Sequence, residues 1–153
     1  MFHLKEGDKA PIFKGIDQNG KKVSLNDFKG KRVVLYFYPK DSTATCTVQA
    51  CNLRDNYADL TAQGYEVVGV SADSEKSHQK IITKNSLPFT LLADEDRTIL
   101  NQYGVWGEKK FMGRIFDGIH RTTFLINEKG IIHKIIRKPQ SKRHTEEILE
   151  MWK

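Results

Sequence analysis

The chain has 153 residues, with 25 Lys and Arg against 19 Asp and Glu, and a formal net charge of +6. That length fits one domain over 1–153 and buries roughly two-thirds of its unfolded surface, so a disulfide staple is not needed. No apolar run approaches a membrane span, and Met1-Phe2-His3-Leu4-Lys5-Glu6 lacks a signal-peptide core, which predicts a cytoplasmic protein without membrane contact.

Ile12-Phe13 and Val23-Ser24-Leu25 flank Asp17-Gln18-Asn19-Gly20, whose Asn-Gly pair predicts an N-terminal β-hairpin. Residues 26–30 read as a short helical turn closed by Gly30. Val33-Val34-Leu35-Tyr36-Phe37-Tyr38 then reads as a buried strand, which Pro39 stops because it cannot donate to a sheet ladder. After a polar loop with Thr43 and Thr45 as candidate N-caps, the pattern is helical over 44–62. Val48, Cys51, Leu53, Tyr57 and Leu60 form its apolar stripe, and Gly64 ends it.

A second strand spans 65–71, and Ser74 caps a helix over 75–85. Residues 89–93 make a third strand, and Asp94 or Asp96 caps a short helix through Leu100 and Tyr103. Residues 104–118 read as a loop of the length that carries function. A hairpin over 120–137 turns at Glu128-Lys129-Gly130, and residues 141–152 close as an amphipathic helix. This order predicts an α/β fold, a mixed sheet with helices on both faces. The charge excess falls late, with 11 basic against 6 acidic residues over 107–153, around Lys134, Arg137, Lys138, Lys142 and Arg143. With no nucleic-acid-binding signature beside it, the excess reads as a solvated basic face, and no nucleic acid is expected.

Cys46 falls in the first turn of the helix that follows the 33–38 strand. Free N–H groups and the positive dipole end there favour an anion, a thiolate included. Placement alone leaves a second reading open, a buried cysteine acting as a small hydrophobe. Cys51 is the only other cysteine, and without a further Cys or His pair at finger spacing zinc is not expected.

The surroundings of Cys46 resemble the peroxiredoxins, thiol peroxidases of thioredoxin-like fold, whose Pro-x-x-x-Thr-x-x-Cys pattern is met by Pro39, Thr43 and Cys46. The chain is most similar to the subfamily called bacterioferritin comigratory protein, or Q-type. Many of its members carry a second cysteine five residues on, as Cys51 does. The likeness extends through Ala10-Pro11, Tyr36-Phe37-Tyr38-Pro39-Lys40-Asp41, Leu87-Pro88-Phe89, Trp106-Gly107-Glu108-Lys109 and Arg121-Thr122-Thr123-Phe124-Leu125-Ile126.

This resemblance implies a cofactor-free, monomeric peroxidase that reduces hydrogen peroxide and organic hydroperoxides. Cys46 would be the peroxidatic nucleophile and Cys51 the resolving thiol, giving a Cys46–Cys51 disulfide that thioredoxin reduces. Thr43 Oγ and the Cys46 N–H would hold the peroxide, Arg121 would supply the cation, and Pro39 would shield the thiolate. Two positions depart from the family pattern: Ala44-Thr45 stand where Pro-Gly is common, and Gln49 where a glutamate is. Gln49 can still orient the arginine by a hydrogen bond, without charge.

Ionisation by itself gives little rate. A thiol of pKa about 8.5 is roughly 3% thiolate at pH 7, so full ionisation gains about 30-fold. A Brønsted slope near 0.45, borrowed from disulfide exchange, returns about tenfold of that. Groups that hold the peroxide and stabilise charge along its O–O bond must supply the rest. Taken singly, Pro39, Thr43 and Arg121 read as a turn proline, an N-cap and a surface cation; their joint occurrence with the cysteine pattern favours the catalytic reading.

Two other classes compete. A thiol–disulfide oxidoreductase on the same scaffold would use Cys-x-x-Cys, which is absent, and a redox-regulated binding protein would use the basic C-terminal third. Trp106, Phe111, Met112 and Phe116 read either as an apolar rim favouring organic hydroperoxides or as packing of the 104–118 loop. The five histidines show no ligand spacing and receive no role.

Overall fold

The computed structural model describes residues 3–152. Strands β1 (Lys14–Ile16) and β2 (Lys22–Ser24) pair antiparallel, the predicted hairpin, and Ser24 caps the 3-10 turn Leu25–Phe28 through a reciprocal box with Asp27. The central sheet contains β3 (Arg32–Phe37), β4 (Tyr65–Ser71), β5 (Thr90–Ala93), β8 (Thr122–Ile126) and β9 (Ile132–Arg137), in the order β5-β4-β3-β8-β9. Strands β3, β4 and β5 run parallel, while β8 and β9 pair antiparallel. The sheet is therefore mixed, with β3 at its centre, and so β3 is a continuous apolar run buried on both faces.

Alternation along β3 divides the core. Val33, Leu35 and Phe37 face a cluster that holds the N-terminal hairpin's Val23 and α4 (Thr98–Gln102). Val34 and Tyr36 face α1 (Ala44–Asp55), α2 (Tyr57–Ala62), α3 (Glu75–Asn85) and α5 (His144–Met151). Ser74 Oγ caps α3 by accepting the Ser77 N–H at 3.1 Å. Both candidate caps of α4 serve it: the Asp94 carboxylate accepts from the Ile99 and Leu100 N–H groups, and Asp96 accepts from Thr98. Gly69 in β4 is a close-approach position. A Cβ there would come within 2.8 Å of the Tyr36 ring and 2.7 Å of Leu91, so its absence lets Tyr36 lie across the sheet beneath α1.

Three expectations are corrected. The helix predicted over 44–62 breaks at Asn56, whose side-chain amide donates to the Asn52 carbonyl and so takes an acceptor from the backbone. Val48 is 39% exposed; the buried side of α1 is Cys46, Gln49, Ala50 and Leu53. Residues 104–118 are a β-hairpin rather than a loop, β6 (Trp106–Phe111) against β7 (Arg114–Ile119). Its turn residues Met112 and Gly113 both take positive φ, 51° and 78°, the geometry of a primed two-residue turn. Methionine is an unusual first residue for that turn, so the sequence carried no turn signal there.

Candidate active site

The site lies where β3 ends and α1 begins. Pro39 halts the strand, Ser42 turns the chain with a left-handed φ of 66°, and Thr43 is the N-cap of α1. Thr43 Oγ1 donates to the Lys40 carbonyl at 3.1 Å instead of capping the helix, and the Thr43 carbonyl accepts the Thr47 N–H at 2.9 Å. Cys46 is the third helical residue, so its own N–H has no carbonyl within the helix to bind and points out of the N-terminus. The Cys46 side chain is 3% exposed, packed into the core face that holds Tyr36, Tyr38 and Ala50.

Arg121, at the start of β8, reaches this thiol. Its Nη2 donates to Cys46 Sγ at 3.1 Å, and its Nη1 donates to Gln49 Oε1 at 2.7 Å. The amide of Gln49, fully buried, bonds His144 Nδ1 at 2.7 Å, and His144 Nε2 meets Thr123 Oγ1 at 3.0 Å. The donor pattern fixes the histidine's state. Since Gln49 Oε1 accepts from arginine, its NH₂ must donate to Nδ1, which leaves the imidazole neutral with its proton on Nε2. Burial, then the nearby Arg121 charge, push the His144 pKa down to about 3, in agreement. His144 is held by its own helix junction, where Asn52 Oδ1 accepts from both the N–H and the hydroxyl of Thr145.

A second buried histidine anchors the other side of the loop. Tyr38 OH and Ser77 Oγ donate to the two oxygens of Asp41, and His78 Nδ1 lies 2.7 Å from Asp41 Oδ2. His78 Nε2 is 2.9 Å from the Leu92 carbonyl. Both ring nitrogens face acceptors, so His78 carries two protons and is an imidazolium. Burial lowers its pKa, but the hydrogen bond and charge of Asp41 outweigh that and the net shift is upward. For Asp41 burial pushes up, and the bonds from His78, Tyr38 and Ser77 bring the net value below the ordinary range. The Asp41 N–H also donates to Asp73 at 2.8 Å. The loop before Cys46 is thus tied to the ends of β4 and β5.

Of the residues singled out from sequence, Cys46, Gln49 and Arg121 meet at one place, while exposed Thr43 and half-buried Pro39 lie on the loop that leads into α1. Cys51 does not. Its Sγ is 3.7 Å from Asn85 Oδ1 at the end of α3, and both thiols are free. Trp106 is not a rim residue either: it packs against the core with the Arg97 guanidinium 4.7 Å over its ring. Met112 and Phe116 are exposed on the hairpin, and the Phe111 side chain lies outside the described residues. His78 and His144 received no role from sequence; they lie 37 and 95 residues from the partners they bind, Asp41 and Gln49, and no local motif marks such pairs.

A first-turn thiol with an arginine on its sulfur is the arrangement of a thiol peroxidase, and the comparisons agree. The profile of the AhpC/TSA family matches residues 6–135. The chain belongs to that family, the peroxiredoxins. It is 50% identical to a putative peroxiredoxin Bcp of Haemophilus influenzae, over 98% of this chain and 97% of that protein. It is 47% identical to peroxiredoxin Bcp of Escherichia coli K12, over 100% and 98%. Among solved structures, a bacterioferritin comigratory protein of Xanthomonas campestris, described for its alkyl peroxide reduction activity, superposes with a TM-score of 0.84. That match has 30% identity and covers 90% of this chain and 88% of that one. This peroxiredoxin is a thiol-dependent peroxidase on a thioredoxin-like fold. Among its described residues no helix is long and apolar enough to cross a membrane.

Proposed function

We propose that Cys46 is the peroxidatic nucleophile, Arg121 its transition-state cation and Cys51 the resolving thiol. The observation that carries this is the 3.1 Å bond from Arg121 to Cys46 Sγ. The Cys46 thiolate attacks the terminal oxygen of a hydroperoxide; an S–O bond forms, the O–O bond breaks, and the alkoxide takes a proton and leaves as alcohol or water. Sulfur is oxidised to the sulfenic acid while the peroxide is reduced. Negative charge moves from sulfur onto the leaving oxygen, so a guanidinium beside the sulfur, already oriented by Gln49, spans the path of that charge. Thr43 Oγ and the Cys46 N–H supply further polar contacts to the peroxide, and Pro39 limits water. Hydrogen peroxide and organic hydroperoxides are the substrates.

Cys51 then attacks the sulfenic sulfur; an S–S bond forms and hydroxide leaves as water. A dithiol protein of thioredoxin type returns both thiols to the reduced state. With the second thiol on the same chain, the cycle is complete in a monomer, and the reducing cytoplasm supplies the dithiol. The test is Cys51→Ser with thioredoxin, thioredoxin reductase and NADPH. The variant is expected to consume one equivalent of peroxide, hold a sulfenic acid and stall, while Cys46→Ser consumes none. Wild-type steady-state turnover by Cys51→Ser would remove the resolving role.

A further inference from the structure

Beside the thiol, a pocket of about 390 Å³ opens between the ends of β8 and β9 and the β6–β7 hairpin. Lys109, Arg121, Arg137 and Lys138 line it, and among the described residues no carboxylate does. The backbone brings these cations together. The Lys138 N–H donates to the Arg121 carbonyl at 3.2 Å, one step beyond the last ladder pair, Thr122 with Arg137. Like charges opposed in this way destabilise a sheet. Lys138 also takes a φ of 57°, a left-handed backbone that lysine seldom adopts.

Lys109 enters from β6, its Nζ donating to the Ile119 carbonyl at 2.8 Å. Burial, then the charge of Arg121, push its pKa down, and Cys46 partly offsets them. A concave site concentrates the field of the cations that line it. The pocket shares a wall with the reaction: Arg121 touches Cys46 Sγ, and Thr45 precedes it in the chain.

We propose that this pocket is a subsite for the carboxylate or phosphate of an anionic organic hydroperoxide, held there while the peroxide end reaches Cys46. The proposal rests on the peroxidase reading above and adds the charge class of the substrate. A cation at contact distance in water is worth about a fivefold preference, so two lysines give roughly 25-fold. The solvated face expected from composition would give only a weak, diffuse attraction, the same wherever on the surface a charge is removed.

The experiment uses cumene hydroperoxide carrying a para-carboxylate, the methyl ester of that compound, and hydrogen peroxide. Stopped-flow oxidation rates are measured at low ionic strength. The wild type is expected to oxidise with the carboxylate at least tenfold faster than with the ester, and the gap should close with salt. Lys138→Gln, on an exposed side chain, should lose about fivefold with the carboxylate alone, and Lys109→Gln with Lys138→Gln should narrow the gap further, toward what Arg121 and Arg137 supply. Lys22→Gln, the same charge change on β2, should keep it. Inorganic phosphate should compete with the carboxylate and not with the ester. Equal wild-type rates with carboxylate and ester would overturn the subsite, even if phosphate binds. A gap that the double substitution leaves undiminished, or one that Lys22→Gln reduces as much as Lys138→Gln, would overturn it too. Failure to consume hydrogen peroxide would overturn the peroxidase reading itself, and the subsite with it.

Discussion

Replacing Gln49 by methionine keeps the volume of a fully buried side chain and deletes the amide that joins Arg121 to His144. Arg121 Nη1 loses a 2.7 Å acceptor, and His144 Nδ1, whose tautomer makes it an acceptor, loses the Gln49 donor. A hydrogen bond to a charged group contributes about 1.5–3 kcal/mol and a neutral one about 0.5–1.5, so the loss is about 2–4 kcal/mol. At about 2–4 °C per kcal/mol for a protein of this size, Tm should fall by roughly 5–15 °C. The catalytic effect is separate: a guanidinium free to swing from the sulfur is no longer preorganised, and oxidation should slow by about tenfold or more. Gln49→Glu is the informative partner. Its carboxylate still accepts from Arg121, and His144 can satisfy it by moving its proton to Nδ1, since the Thr123 hydroxyl can then donate to Nε2. That variant should keep most of the stability while the imidazole NMR signals report the other tautomer. Thermal melts, stopped-flow oxidation and histidine NMR check the chain. Wild-type Tm and wild-type oxidation rate in Gln49→Met would refute the claim that this amide orients Arg121.

Arg121→Met should slow the first oxidation by about 100-fold or more, and the deficit should persist near pH 10, where thiols are ionised; recovery there would reduce the arginine to an effect on ionisation. The Cys46–Cys51 disulfide cannot form while α1 is intact. Five residues of helix separate the Cα atoms by roughly 8.6 Å, beyond the roughly 7 Å a disulfide spans. Oxidation should therefore lower helical circular dichroism and remove hydrogen-exchange protection over 43–51, while β3 stays protected; equal protection in a verified disulfide would sink the unwinding. The Asp41–His78 pair should give stability a pH dependence with a maximum. His78 is raised above its ordinary 6.5, so its contribution is full below that pH and is lost as pH rises through the folded value; Asp41 is lowered from 3.8, so its contribution is lost as pH falls through its folded value. His144, held neutral with its pKa pushed down to about 3, costs stability as pH falls below its ordinary 6.5. Denaturant melts from pH 3 to 9 should therefore show best stability near 6.5, and His78→Asn should remove the alkaline decline.

Local chemistry was legible wherever one residue's own properties decided the backbone. Pro39 ending β3, Ser74 capping α3 and the apolar run of a doubly buried strand all follow from neighbours in the chain, because caps, proline and hydrophobic period act over one or two turns. Pro39, Thr43 and Cys46, the positions through which the chain resembles the family's pattern, all lie on one strand–loop–helix junction. The β6–β7 hairpin escaped because its turn, Met112-Gly113, is stabilised by the pairing of two six-residue strands rather than by a turn-forming first residue. Val48 was misplaced because the face that α1 buries depends on where it docks on the sheet, and buried Gln49 has no hydrophobic signature. The opposite charge states of His78 and His144 were beyond reach of any sequence reading. An imidazole takes its protonation from what faces its two nitrogens. For His78 these are a carboxylate and a carbonyl, for His144 an amide and a hydroxyl, and only the folded chain brings each set together.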